Sequence, residues 1–243
     1  MKLKGALKNV PKTITDKYSF VVLDLKPTEG FWLNFKNEEL FIEFADQWSD
    51  IRLDFVETFS RFKQGKQKPF SNLLKKVFGK PKEIIDLTCG FAEDSLILVF
   101  FGHKVISLER NPVMAALLEN ALSRARNDDE FGELFKSSLD IKFCSASKFI
   151  EENDLSNKWL YFDPMFGDQS GKKSLSSKRM QFLSQFAGSD EDWKSVFNSC
   201  LQSKAKSLIF KHSNKAPMPE IKPNEVIMGK TVRFDKHLCG KNS

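Results

Sequence analysis

The sequence predicts an α/β fold with a mostly parallel sheet and helices on both of its faces, and three observations support this. From residue 81 onward, short apolar runs typical of buried strands alternate with longer helical patterns, which indicates βαβ units. The chain has 243 residues, of which 41% are hydrophobic, so it can bury the core that such a fold needs. The first 60 residues are rich in strand-like runs, and we expect a small β-rich N-terminal domain (1–60) before the main domain (61–243).

The N-terminal part is predicted to contain a hairpin. Residues 19–25 and 31–35 are apolar runs, and the connector between them contains a proline and a glycine, which favour a turn. Residues 39–48 fit either a helical stripe or an alternating strand, so both interpretations stay open. Residues 51–56 alternate between apolar and polar side chains and are predicted to form a third strand.

The elements of the main domain are predicted in a regular order. Strands are expected over residues 83–87, 104–108, 141–144, 159–162 and 207–211, with strand-like runs at 225–228 and 231–234. Helices are expected over residues 71–78, 93–101, 112–126, 128–137 and 193–204. Ligands of open parallel sheets bind beyond the carboxyl ends of the strands, so the candidate site residues are sought where these strands end.

Composition argues against several classes of protein. No run of about 18 uncharged apolar residues occurs, so no membrane-spanning segment is predicted. The first residues are basic but lack an apolar core and a cleavage site, which argues against a signal peptide and favours a cytoplasmic protein. The four cysteines form no CxxC pair and the three histidines no HExxH motif, so we expect neither a metal site nor a disulfide framework.

The net charge of +6 is unevenly distributed along the chain. Residues 61–82 contain eight basic residues and no acidic one, and further basic groups lie near residues 172–179 and 204–222. Such stretches are typical of a surface that contacts a polyanion, although solvated lysines that keep a protein soluble give the same composition. The candidate RNA-phosphate contacts are Arg61, Lys63, Lys66, Lys68, Lys172, Lys173 and Lys211.

A candidate nucleoside site follows the first two strands of the main domain. Asp86 lies near the end of the first strand, Gly90 lies just beyond it, and Glu93 and Asp94 begin the next helix. Glu109 ends the second strand, where a carboxylate suits the two hydroxyls of a ribose. The GxGxxG motif of NAD sites is absent, and the two carboxylates suit the cationic S-adenosylmethionine (SAM) better than a pyrophosphate. The alternative is that these carboxylates only complement the helix N-terminus.

A second candidate site follows the fourth strand, at Asp163-Pro164-Met165-Phe166. This tetrapeptide resembles the (D/N/S)PP(Y/F) signature of methyltransferases that act on planar amino nitrogens. The Asp163 carboxylate and the Pro164 carbonyl suit the two N–H groups of an exocyclic amine, and Phe166 suits stacking on a base. These three residues are the candidate catalytic residues. The alternative is an ordinary Asp-Pro turn at the end of a strand.

Four motifs together resemble the bacterial ribosomal RNA small-subunit methyltransferase J family. They are DLTCGFAED (86–94), LERNPVMAALL (108–118), DPMF (163–166) and VRFD (232–235). The resemblance implies a Rossmann-like class I methyltransferase fold, methylation of guanine N2 with SAM, and small-subunit ribosomal RNA or the assembled small subunit as partner. It also implies cofactor contacts at Glu93, Asp94, Glu109, Arg110, Ser147, Lys148 and Asp163.

The sequence departs from the family at a few positions, and other functions stay open. The family usually has arginine where Glu93 stands and proline where Gly167 stands. An amino-methyltransferase that acts on DNA bases or on protein glutamine is one alternative. A catalytically silent RNA-binding protein with the same fold is another, although the presence of Glu109 and Asp163 argues against it.

Overall fold

The computed structural model describes residues 2–45, 48–66, 71–165, 182, 186, 190–214, 216 and 219–240. The strands are β1 (Leu3–Leu7), β2 (Val22–Leu23), β3 (Phe31–Lys36), β4 (Glu39–Phe44), β5 (Glu83–Asp86), β6 (Lys104–Glu109), β7 (Leu139–Phe143), β8 (Trp159–Phe162), β9 (Ser207–Ser213), β10 (Glu225–Met228) and β11 (Val232–Leu238). The helices are α1 (Lys12–Tyr18), α2 (Phe55–Lys63), α3 (Ser71–Phe78), α4 (Glu93–Phe100), α5 (Pro112–Arg126), α6 (Gly132–Ser138), α7 (Ala146–Glu152) and α8 (Trp193–Gln202).

The main sheet confirms the predicted α/β architecture. Within the described residues it has seven strands in the order β10-β11-β9-β8-β5-β6-β7. The pairs from β9 to β7 are parallel, and β10 and β11 add an antiparallel edge. Strand β5 is central and pairs with both β6 and β8, so the loops that follow these three strands meet at one edge of the sheet. This edge is where a ligand site is expected.

Helices cover both faces of the main sheet. Successive residues of β5 point to opposite faces: Ile84 belongs to one hydrophobic cluster and Ile85 to the other. The first cluster packs α2 to α6 on one face, and the second packs α7 and α8 on the other. This arrangement confirms the prediction of a parallel sheet between two helical layers.

The N-terminal part forms its own sheet, but the predicted hairpin is wrong. Strand β2 pairs with β1 in parallel, and the hairpin joins β3 to β4 instead. The reason is the two-residue turn at Asn37 and Glu38, which both adopt positive φ (51° and 63°), as the tightest hairpin turns require. The ambiguous segment 39–48 therefore contains strand β4.

The predicted third strand at 51–56 is also wrong. Only Ile51 makes a β-bridge, to Ile42, and helix α2 begins at Phe55. The Asp54 side chain accepts a hydrogen bond from the Glu57 backbone N–H at 2.8 Å and so caps this helix. The predicted domain boundary at residue 60 falls inside α2, and the two-domain division stays a prediction.

The other predicted helices and strands of the main domain are confirmed, with small shifts at their ends. Helices α1 and α7, each seven residues long, were not predicted. Helix α5 begins as the sequence indicates, with Pro112 in its first turn. The Asn111 side chain accepts hydrogen bonds from Val113 N–H and Met114 N–H at 3.0 and 3.2 Å and so fixes the end of the β6–α5 loop.

The N-terminal sheet packs against an aromatic pair from the chain segment that follows the predicted catalytic tetrapeptide. The Phe31 ring lies 5.3 Å from the Phe182 ring and 5.0 Å from the Phe186 ring, centroid to centroid. The Phe44 ring lies 5.5 Å from that of Phe182. Such aromatic pairs add to the stability that burial provides.

A buried polar network joins the turn after β5 to its neighbours. The Asp86 side chain, 1% exposed, accepts hydrogen bonds from Thr88 N–H at 3.1 Å and from Ser95 Oγ at 2.5 Å. Ser95 Oγ also lies 2.7 Å from Ser107 Oγ of β6. Burial raises the pKa of Asp86 to about 7, and these hydrogen bonds offset that rise only in part.

We predict that Asp86 makes the folded protein less stable as the pH rises from 5 to 8. The folded state binds a proton at Asp86 below about pH 7, whereas an unfolded chain binds one only below about pH 4, so stability decreases through this window. The free energy of unfolding of the wild type should fall by about 2–3 kcal/mol relative to that of Asp86→Asn. Chemical denaturation at several pH values measures this difference.

The matched control is Asp24→Asn, which changes an exposed aspartate in the same way. This variant should follow the wild type across the whole pH range. Parallel pH profiles of the wild type and Asp86→Asn would contradict the assignment of the buried proton to Asp86.

Candidate active site

A cavity of about 350 Å³ opens at the carboxyl ends of β5, β6 and β8. A volume of this size fits a small-molecule ligand. Its lining combines apolar side chains with a group of carboxylates and two cations. The lining residues are Leu87, Thr88, Cys89, Gly90, Phe91, Glu93, Asp94, Leu108, Glu109, Arg110, Asn111, Cys144, Ala146, Phe162, Asp163, Met165, Asp190, Asp192, Val196 and Lys211.

The turn between β5 and α4 forms one wall of the cavity. Gly90 adopts a φ of 54°, in the left-handed region that favours glycine, and Ala92 follows with a φ of 59°. Cys89 N–H donates to the Leu108 carbonyl at 3.0 Å, which holds the turn against the end of β6. This geometry places Glu93 and Asp94 at the start of α4 with their side chains in the cavity wall.

Glu109 lies at the end of β6, with only 8% of its surface exposed. Asn111 N–H donates to its Oε1 atom at 2.7 Å. Burial raises the pKa of Glu109 to about 7, and nearby backbone donors and the charge of Arg110 offset this rise only in part. A buried carboxylate with few donors is well suited to accept hydrogen bonds from the two hydroxyls of a ribose.

Arg110, in the loop after β6, connects this loop to the residues just before α8. Its guanidinium donates to Asp190 Oδ1 at 2.6 Å and to Asp192 Oδ1 at 3.1 Å. Asp190 in turn binds Met165 through two hydrogen bonds: Met165 N–H donates to Asp190 Oδ2 at 2.7 Å, and Asp190 N–H donates to the Met165 carbonyl at 2.9 Å. These contacts hold the chain after Asp163 against the loop after β6.

Lys211 of β9 bridges two carboxylates in the cavity wall. Its Nζ atom lies 2.6 Å from Asp94 Oδ2 and 2.8 Å from Asp163 Oδ2, and its side chain is only 10% exposed. Tyr161 Oη also donates to Asp94 Oδ2. The backbone at Asp163 is fixed by its N–H, which donates to Thr88 Oγ1 at 2.9 Å.

Opposed charges determine the protonation of this cluster. Burial by itself lowers the pKa of Lys211, but the charges of Asp163 and Asp94 outweigh burial and raise that pKa. Burial raises the pKa of Asp163, and the ammonium of Lys211 opposes this rise. Lys211 is therefore a buried cation held by its two carboxylate partners.

The structure brings most of the predicted cofactor residues to one cavity: Gly90, Glu93, Asp94, Glu109, Arg110 and Asp163 all line it. Asp86 does not, because it is buried beneath the turn. Ser147 and Lys148 do not line it either. Ser145 caps α7 by accepting from Lys148 N–H at 3.3 Å, and the side chains that reach the cavity wall here are those of Cys144 and Ala146.

The predicted catalytic residues are only partly within the described chain. Asp163 lines the cavity, with 35% of its side chain exposed. Pro164 follows it and is buried. Phe166 lies outside the described residues, so its predicted stacking role stays a prediction.

The predicted RNA-phosphate contacts lie in several places. Arg61, Lys63 and Lys66 are exposed at the end of α2 and in the loop after it. Lys68, Lys172 and Lys173 lie outside the described residues. The placement of Lys211 on a basic surface is corrected: it is a buried residue, and its charge is taken up by Asp94 and Asp163.

Sequence reasoning missed several lining residues. Asp190 and Asp192 lie far from the other site residues in the chain, and no local pattern marks them. Thr88 and Asn111 act through hydrogen bonds to backbone groups that only the folded turns bring close. The Asn-Pro pair before α5 was the one available signal, since asparagine is a common helix cap.

The chemistry of the lining fits SAM. Glu93 and Asp94 suit its cationic groups, Glu109 suits its ribose, and apolar side chains such as Leu108 and Val196 suit its adenine. Among the described residues, no group of three or more His, Cys, Asp or Glu side chains has an arrangement that would hold a metal ion. In the same part of the chain, no helix has the length and apolar character needed to cross a membrane.

Relatives of the chain support this interpretation of the cavity. The profile of the SAM-dependent methyltransferase family (SAM_MT) matches residues 14–238. The chain is 27% identical over 235 residues to the ribosomal RNA small subunit methyltransferase J of Chromobacterium violaceum, a match that covers 93% of this chain and 91% of that protein. It is 36% identical over 157 residues to the protein of the same name from Legionella pneumophila, a match that covers 65% of this chain and 63% of the relative.

Among solved structures, a SAM-dependent methyltransferase from Neisseria gonorrhoeae has the same fold. Its TM-score is 0.74 at 18% identity, and the match covers 98% of this chain and 97% of that one. The relatives confirm the resemblance that the sequence motifs indicate. The matched profile spans the turn after β5, the loop after β6 and Asp163. The chain therefore belongs to the family of SAM-dependent methyltransferases, with SAM as its cofactor.

Proposed function

We propose that the protein transfers a methyl group from SAM to the exocyclic N2 of a guanine in small-subunit ribosomal RNA. The observation that carries this proposal is the position of Asp163, which lines the same cavity as Glu93, Asp94 and Glu109. An amino group held at Asp163 therefore lies beside the cofactor. The names of the relatives from Chromobacterium and Legionella point to the same substrate.

The reacting amine needs help because its lone pair is delocalised into the ring of the base. SAM supplies a methyl group on a positively charged sulfur. The Asp163 carboxylate and the Pro164 carbonyl each accept one N–H, which holds the amine as it becomes pyramidal and develops positive charge. Positioning of the nitrogen in line with the methyl group supplies much of the rate.

The size of the cavity restricts the form of the substrate. Asp163 lies in the wall of a cavity, which a base paired within a helix does not reach, so the target guanine must be unpaired or flipped out of its helix. The exposed basic residues Arg61, Lys63 and Lys66 are proposed to hold phosphates of the same RNA. We place the reaction in the cytoplasm, on free small-subunit RNA or on the assembled subunit.

Asp163→Ala is predicted to lose at least about 100-fold in methyl transfer, because one acceptor for the amine is removed. The assay uses labelled SAM with small-subunit RNA, free and as assembled subunits, from cells that lack this gene. Nucleoside analysis identifies the product, and N2-methylguanosine should appear only with the wild type.

The matched control is Asp16→Ala, which removes an exposed aspartate of α1 and should keep full activity. Label on DNA or on protein glutamine, but not on RNA, would refute the proposed substrate. Full transfer by Asp163→Ala would refute the proposed role of Asp163.

A second prediction concerns the contact between Glu109 and the ribose. Adenosine carries the ribose diol without the amino-acid part of SAM, so its binding isolates this contact. Because the pKa of Glu109 is about 7, only about a tenth of it is ionised at pH 6. The dissociation constant of adenosine, measured by calorimetry, should therefore be about tenfold larger at pH 6 than at pH 8.

Glu109→Gln is the matched variant for this measurement. It should bind adenosine more weakly than the wild type at pH 8 and show little dependence on pH. Equal pH dependence in the two proteins would assign the titrating group elsewhere and overturn the proposed contact.

A third prediction concerns the basic surface. The double variant Arg61→Ala/Lys66→Ala should weaken RNA binding and lower the slope of log K against log salt by about 1 for each lost phosphate contact. The turnover number at saturating RNA should stay unchanged. The control variant Lys8→Ala/Lys12→Ala removes two exposed lysines of the N-terminal part, and an equal effect there would contradict a specific contact at α2.

A further inference from the structure

We propose that Lys211 is a positioning residue for methyl transfer: it holds Asp163 as a carboxylate and occupies one of its oxygens, which directs the other toward the acceptor amine. This inference rests on the proposed function, because it assigns the amine to Asp163. Lys211 acts only through Asp163. It stays protonated and does not itself take a proton from the substrate.

The geometry of the cluster supports this role. The Lys211 ammonium lies 2.8 Å from Asp163 Oδ2 and 2.6 Å from Asp94 Oδ2. One ammonium group therefore pairs with two carboxylates that lie far apart in the sequence. Thr88 fixes the backbone of Asp163 from the other side, through the hydrogen bond to Asp163 N–H. With its backbone and Oδ2 both held, the Asp163 carboxylate has a defined orientation in the cavity wall.

Burial makes the ammonium necessary. The Lys211 side chain is 10% exposed, that of Asp94 14% and that of Asp163 35%, so water screens the charges of Lys211 and Asp94 only a little and that of Asp163 in part. Without the ammonium, the negative charge of Asp94 raises the pKa of Asp163 and favours its protonated form. A protonated Asp163 is a poorer acceptor for the amine, so the lysine maintains the form that the reaction needs.

The other charged groups around the cluster add to the need for a cation beside Asp163. Asp190 before α8 adds negative charge near Asp163, and Asp86 below the turn does so above its pKa of about 7. Tyr161 of β8 donates to Asp94 and stays neutral, since burial keeps its pKa well above the usual range. Arg110 balances Asp190 and Asp192 through its own ion pairs. Lys211 is thus the cation that meets both Asp94 and Asp163 among the described residues.

The chemical balance of the step is simple. The nitrogen lone pair forms the N–C bond, and the electrons of the broken C–S bond stay on sulfur. The amine then carries one proton too many, and the Asp163 carboxylate accepts it before it passes to solvent. Lys211 keeps its three protons throughout, which is consistent with the two carboxylates that raise its pKa.

The first test is a titration of the Asp163 carboxyl carbon by NMR in the protein without RNA, with Asp163→Asn used for assignment. In Lys211→Met, the midpoint should rise by at least one pH unit relative to the wild type. In Lys211→Arg, which keeps the charge, it should stay close to the wild type. In Lys211→Met/Asp94→Asn, it should fall back toward the wild type, because the second carboxylate is gone.

The second test is the pH dependence of kcat at saturating SAM and RNA. In Lys211→Met the acidic limb should move upward by the same amount as the carboxyl titration, and kcat should recover at high pH. The KM for RNA should change little. A structural role alone predicts an equal loss at every pH, together with weaker folding that Lys211→Arg does not restore.

The outcomes separate the two proposals. An unmoved carboxyl titration in Lys211→Met overturns the role of Lys211, whatever the activity. A moved titration without a moved kcat profile also overturns it, because Asp163 is then not linked to the transfer. If the wild type itself methylates no RNA while the titration moves as expected, the RNA substrate fails and the electrostatic role of Lys211 stands.

Discussion

The active site depends on one buried ammonium group. The strand order brings Asp94, at the start of α4, and Asp163, just after β8, to the same edge of the sheet, where the Asp94 side chain is 14% exposed and that of Asp163 35%. Negative charges so placed repel one another strongly, and the Lys211 side chain from β9 balances them at 2.6 and 2.8 Å. The same interaction joins β9 to the chain at the ends of β5 and β8, and in our proposal it orients the Asp163 carboxylate toward the acceptor amine.

The topology of the sheet explains why two separately predicted sites form one cavity. Strand β5 pairs with β6 on one side and with β8 on the other, and Ile84 is in register with both Val105 and Trp159. The carboxyl ends of the three strands are therefore nearly level. The turn after β5, with Gly90 at positive φ, lies between Glu109, the proposed ribose contact, and Asp163, the proposed contact of the acceptor amine.

The sequence allowed the prediction of features that depend on local patterns. The strand, glycine turn and helix around Gly90, the start of α5 at Pro112 and the strand before Asp163 were all visible in this way. Features that depend on distant partners were not. A lysine in a basic stretch looks like a surface residue, and only the folded structure shows that Lys211 is buried beside Asp94 and Asp163. The pairing of β3 with β4 depended on a turn without glycine or proline.

The N-terminal sheet and the loop after β6 both contact residues that lie between Asp163 and α8 in the sequence. Met165, two residues after Asp163, and Asp190 are joined by two reciprocal hydrogen bonds. Arg110 joins this pair to the loop after β6, beside Glu109. Phe182 and Phe186, which lie between Met165 and Asp190 in the sequence, pack on the N-terminal sheet at Phe31 and Phe44. The N-terminal sheet and the loop after β6 therefore contact the same stretch of sequence, the first through Phe182 and Phe186 and the second through Asp190.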